Sequence, residues 1–97
     1  YDEALVAEAL RREAARGGQS FYLHNRVETI AEATETVRAL VPELRVVTAH
    51  GQMAESELED VMLAFIRGEA DVLVATSIIE AGLDIPQANT LVVERAD

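Results

Sequence analysis

Thr76-Ser77 closes the apolar run Val72-Leu73-Val74-Ala75, and Glu80, Gly82 and Asp84 follow before Pro86. Hydroxyls at the end of a buried strand can cap a following turn of helix. Gly82 permits close backbone approach to a ligand or a positive φ. Asp84 offers a lone carboxylate, and Pro86 cannot continue a helix. In an open α/β sheet, ligands collect outside the carboxyl ends of strands, where this loop falls. Two other strand ends have the same character. Phe21-Tyr22-Leu23-His24 runs into Asn25-Arg26, and the run ending at Ala49 leads into His50-Gly51. Asn25 and Arg26 stand at a helix N-terminus, where unpaired N–H groups and the dipole favour an anion, and Asn25 can equally act as a plain cap. His50 could donate to a phosphate and Gly51 could let the backbone come close. A rim histidine and a turn glycine explain the same pair.

These groups need elements to hold them. Tyr1 to Arg16 reads as a helix capped by Asp2, with Leu5, Val6, Ala9 and Leu10 as its apolar stripe. Arg11, Arg12 and Arg16 lie towards the end that the dipole favours, and Gly17-Gly18 terminate it. Gln19 to His24 is the first strand, with His24 packed at the sheet rim. Asn25 then caps a helix with Glu28 as partner in a capping box; Val27, Ile30, Val37 and Val41 mark its buried side and Pro42 closes it. Arg45 to Ala49 is the second strand. The next helix begins between Met53 and Ser56, with Ser56 and Glu59 as a second capping box. Leu58, Val61, Met62, Phe65 and Ile66 form its core stripe, and Gly68 ends it. Val72 opens the third strand, and Thr90 to Val93 is a fourth. Such alternation predicts an α/β fold, a parallel sheet covered on both faces with right-handed crossovers. The expected strand order is 2-1-3-4.

Ninety-seven residues make one modest domain, and 49% hydrophobic with 27% charged residues marks a globular chain. The absence of cysteine excludes disulfide and thiolate chemistry and suits a reducing, cytoplasmic setting. No apolar run reaches the length of a membrane span, so no membrane partner is expected. A net charge of −10 argues against non-specific nucleic-acid binding by surface cations. It leaves room for phosphate contacts from hydroxyls and backbone N–H groups at one sheet edge. The chain has no G-x-x-x-x-G-K-[ST] loop, no G-x-G-x-x-G and no nucleophile elbow. By itself it carries half of a site.

The three blocks Phe21-Tyr22-Leu23-His24-Asn25-Arg26-Val27-Glu28, His50-Gly51-Gln52-Met53 and Thr76 to Pro86 resemble the second RecA-like motor domain of superfamily 2 helicases. Their wording is closest to the branch of double-stranded DNA translocases that act on stalled RNA polymerase. The resemblance runs from about Gly17 to the end, through the closing Asn89-Thr90-Leu91-Val92-Val93-Glu94-Arg95-Ala96-Asp97. It implies a P-loop NTPase-like three-layer domain, truncated, spanning motifs IV and V without motif VI. It also implies roles for single residues. Asn25 and Arg26 would lie near the DNA backbone, His50 and Gly51 would border the tracked strand, and Thr76 would hydrogen-bond a phosphate. Gly82 would keep its loop near the interdomain cleft, Asp84 would approach the ribose of ATP, and Glu80 would couple the two sites. ATP with Mg²⁺ would be held mainly by a first RecA-like domain of the same chain. RNA polymerase and excision-repair proteins would bind through other domains of a longer parent.

Two alternatives stay open. One is the lobe of a replication-fork reversal helicase, although His24-Asn25-Arg26 fits the polymerase-directed branch better. The other is a non-motor, doubly wound binding domain of receiver type. A receiver needs clustered acids at the end of its first strand to hold Mg²⁺, and Leu23-His24-Asn25 supplies none.

Overall fold

In the computed structural model, which describes residues 2–24 and 26–76 and the backbone of 88–94, helix α1 (Glu3–Ala15) begins where Asp2 accepts from the Ala4 and Leu5 N–H groups at 2.9 and 3.4 Å. That is the expected cap, satisfying two of the donors a helix start leaves free. Gly17 ends the helix with φ +79°, a conformation that favours glycine. The buried stripe is turned from the expected one: Ala7, Leu10 and Glu13 are buried, Val6 is half-buried, and Leu5 is exposed. The helix arginines are engaged within the chain, Arg11 with Glu43 and Arg12 with Glu8.

Strand β1 (Gln19–His24) leads to a single 3-10 turn over Val27–Thr29, and only then does α2 (Ile30–Leu40) start. The α-helix therefore opens later than expected, and Asn25, the expected cap, lies outside the described residues. Thr29 occupies the N-cap position and makes no capping bond. Strand β2 (Val46–Ala49) is followed by α3 (Glu55–Ile66), whose N-cap is Ala54. Ser56 thus lies inside the helix and does not cap it. Strands β3 (Val72–Ala75) and β4 (Ala88–Glu94) complete the sheet.

All described pairings are parallel, and the strand order is β2-β3-β1-β4. The expected order 2-1-3-4 is corrected: β3, not β1, lies beside β2. Both orders leave β1 and β3 inside the sheet; what separates them is the pairing of Val46 to Ala49 with Val72 to Ala75. Val72, Leu73 and Val74 are wholly buried and Ala75 nearly so, which requires a strand on each side and cover on both faces.

Helices α1 and α2 cover one face, where Ala7, Leu10, Tyr22, Ile30, Val37, Val41, Val72 and Val74 form the larger core cluster. Helix α3 covers the other, with Ala49, Phe65, Ala70, Leu73 and Ala75. The result is the expected three-layer α/β arrangement. The stripe on α3 is only partly sunk: Phe65 is buried, Leu58, Val61 and Met62 are half-buried, and Ile66 is exposed. No described helix is long and apolar enough to cross a membrane.

At the amino ends of the strands, Gln19 donates from Nε2 to the carbonyls of Phe65 and Ala70 at 2.6 and 2.8 Å. Arg45 pairs with Asp71 there, and its own N–H donates to Asp71 Oδ2 at 2.8 Å. Burial pushes the Asp71 carboxyl up, but the bonds from the Arg45 side chain and backbone, with the Arg45 charge, outweigh it and hold it below its ordinary value. A carboxylate with a lowered folded-state pKa adds stability above its unfolded value and loses it as pH falls through the folded one. Thermal unfolding followed against pH should show stability declining below about pH 4. Asp71→Asn should lower stability near neutral pH and flatten that acid limb.

Candidate nucleic-acid interface

The register brings three strand ends to one edge. Leu23 of β1 and Ala49 of β2 both lie level with Ala75 of β3. One residue further along, His50, Thr76 and His24 follow side by side at the carboxyl ends of three adjacent strands. The expected gathering of the first three loops on one edge is therefore met at its starting points. Parallel strands joined by crossovers always return to the same end, which is why alternation in sequence sufficed to foresee it.

Each strand end is built differently. After β1, Arg26 is exposed and extended, with φ −119° and ψ 115°, and the 3-10 turn follows it. Inside that turn, His24 Nε2 meets Thr29 Oγ1 at 2.7 Å. One layer deeper, Thr34 of α2 donates to the Ile30 carbonyl and meets the Thr48 hydroxyl of β2 at 2.6 Å. These bonds fasten the start of α2 to the sheet rim.

After β2, residues 50–53 fold into a closed turn. Met53 N–H donates to the His50 carbonyl at 3.3 Å, and Gln52 N–H donates to His50 Nδ1 at 3.2 Å. Because Nδ1 accepts, the neutral ring carries its proton on Nε2, leaving a donor there. His50 is half-buried and Gly51 is exposed.

After β3, Thr76 N–H donates to the Ala49 carbonyl at 3.4 Å. Thr76 is only 5% exposed, and its hydroxyl has no hydrogen-bond partner among the described residues. A buried unsatisfied hydroxyl is costly; Gln19 Oε1 and Ser20 Oγ, at the amino end of β1, are also without partners among the described residues. Thr76, expected to cap a following turn and, by resemblance, to bond a phosphate, is buried at the end of its strand.

Arg26, His50, Gly51 and Thr76 thus share one edge. Asn25, Glu80, Gly82 and Asp84 lie outside the described residues. Among the described residues no cluster of His, Asp and Glu could hold a metal ion. His24 and Thr29 were not singled out from the sequence as site residues. The only signal was a polar residue ending a strand and a threonine five places on.

Comparison with known proteins agrees with the fold. The helicase conserved C-terminal domain family matches residues 2–97. The transcription-repair-coupling factor of Bacillus subtilis (strain 168) is 57% identical over 97 residues, covering 100% of this chain and 8% of that protein. The one from Mycobacterium tuberculosis (strain CDC 1551 / Oshkosh) is 58% identical over 97 residues, again 100% of this chain and 8% of the relative. This chain therefore spans about 8% of the length of the curated relatives it matches. Among solved structures, RecG bound to a three-way DNA junction superposes with a TM-score of 0.76 at 35% identity, covering 97% of this chain and 13% of that one. The Pyrococcus furiosus Hef helicase domain gives a TM-score of 0.77 at 26% identity, covering 94% of this chain and 19% of that one.

Proposed function

The chain belongs to the helicase conserved C-terminal domain family, and from that premise we propose that it is the second motor lobe of an ATP-dependent double-stranded DNA translocase. In this reading the parent displaces stalled RNA polymerase and couples transcription to nucleotide excision repair. The observation that carries it is the common edge: His50, Thr76 and His24 follow three level, parallel strand ends.

The chemistry suits such a motor. Phosphoryl transfer in these enzymes depends on positioning and charge stabilisation supplied from both sides of a cleft. Closure around ATP and release after hydrolysis let phosphate-gripping loops alternate their hold. Asn25, Arg26, His50, Gly51 and Thr76 are assigned to the DNA backbone. Mostly neutral donors grip phosphate without reading sequence, and they reconcile DNA contact with a net charge of −10. Gly82 and Asp84 are assigned to the ATP side, Asp84 as acceptor for a ribose hydroxyl, and Glu80 to coupling. ATP with Mg²⁺ is assigned mainly to the first RecA-like lobe, and RNA polymerase and repair proteins to other domains of the parent.

A second reading, replication-fork reversal, is favoured by the 35% identity to RecG, solved on a three-way junction. The two separate in one assay. Full-length protein with ATP should release RNA polymerase stalled on duplex DNA; regression of a model fork without polymerase release would favour the second reading. The motor reading itself is tested by Asp84→Ala in the full-length protein. Loss of a charge-assisted hydrogen bond should lower DNA-stimulated ATP turnover by about tenfold or more. Turnover equal to that of the unmodified protein would count against it.

A further inference from the structure

Thr29 stands at the N-cap of α2, where a threonine oxygen ordinarily accepts from the next turn's N–H groups, yet it makes no such bond. Its oxygen is spent on His24 instead, at 2.7 Å. His24 is the last residue of β1 and 5% exposed, so this side-chain bond is largely shielded from water. Among the described residues, few other bonds close the turn that begins at Arg26. Arg26 supplies no side-chain cap, and the backbone bond across it, from Thr29 N–H to the Arg26 carbonyl, is 3.3 Å long.

Resting on the motor reading above, we infer that His24 and Thr29 are positioning residues: their bond latches the Arg26 turn to the sheet rim and sets its distance from Thr76. The register supplies the lever. His24 follows Leu23 on β1, and Thr76 follows Ala75, the partner of Leu23 on the adjacent strand. A turn fastened at His24 is therefore fastened beside Thr76. Two groups that contact successive phosphates must keep a fixed spacing, and a small misplacement costs binding without removing any contacting group. Neither residue touches DNA in this scheme; each acts through Arg26.

The test uses the full-length protein, with ATP turnover titrated against duplex DNA. Thr29→Val keeps the shape and removes the hydroxyl; it should raise the half-saturating DNA concentration about fivefold, with the rate at saturation within about twofold of wild type. Thr29→Ser, which retains the hydroxyl, should titrate like wild type. His24→Leu should raise the midpoint at least as much, and adding Thr29→Val to it should raise it no further, since both break the same bond. A purely structural role would lower the melting temperature and the maximal rate without moving the DNA midpoint. A wild-type midpoint for Thr29→Val, or Thr29→Ser behaving like Thr29→Val, overturns the latch. Arg26→Ala separates the two ideas. If Arg26→Ala weakens DNA dependence and Thr29→Val does not, the latch fails and the DNA-gripping edge stands. If Arg26→Ala, Thr76→Val and Thr29→Val all titrate like wild type, both fail.

Discussion

Replacing Thr76 with valine is expected to make the domain slightly more stable and the motor far less responsive to DNA. The two effects have opposite signs because the hydroxyl holds nothing in the described fold: it is buried and, among the described residues, without a partner. Valine fills nearly the same space and removes the unsatisfied oxygen, a change worth about 1 kcal/mol in favour of folding. The backbone bond from Thr76 N–H to the Ala49 carbonyl is kept. A hydrogen bond from this hydroxyl to a phosphate would be worth about 1.5–3 kcal/mol. Losing it should weaken DNA-dependent ATP turnover of the full-length protein by about ten- to a hundredfold. A variant less stable than wild type with intact DNA response would mean that the oxygen serves the fold after all.

The largest effect on stability should come from Phe65→Ala. Phe65 is fully buried and is the one large side chain of α3 that is. Its neighbours in that cluster include Ala49, Ala70 and Ala75, which are too short to collapse into the space it would leave. Its ring also lies 5.5 Å from that of Phe21, tilted by 50°, in the range where aromatic pairs attract. Transfer and cavity terms together predict a loss of about 3–5 kcal/mol. For a chain of this size that corresponds to a fall in Tm of about 15–30 °C. The neighbouring Ile66→Ala serves as control: Ile66 is 47% exposed, and its truncation should cost less than about 1 kcal/mol. Calorimetry on the 97-residue chain measures both.

These two residues stand side by side in one apolar stripe, and their spacing alone does not tell them apart. The difference comes from how α3 is rotated on β2 and β3. The capping residues teach the same lesson. Asp2 caps α1 as its type and position suggest. Thr29 meets His24, five residues back in the chain, and leaves its helix uncapped.

From composition and periodicity follow the α/β class, the three layers, the parallel direction of the strands and the single edge on which their ends collect. Those properties arise from interactions between residues a few places apart and from the handedness of crossovers. The neighbour of β2, the burial of the Thr76 hydroxyl and the partner of Thr29 emerge only once the chain is packed. Each rests on contacts whose energy exists only when distant segments meet. β1 and β3 are interior strands in either order, so their apolar runs do not decide which of them β2 joins, and no local pattern encodes that competition.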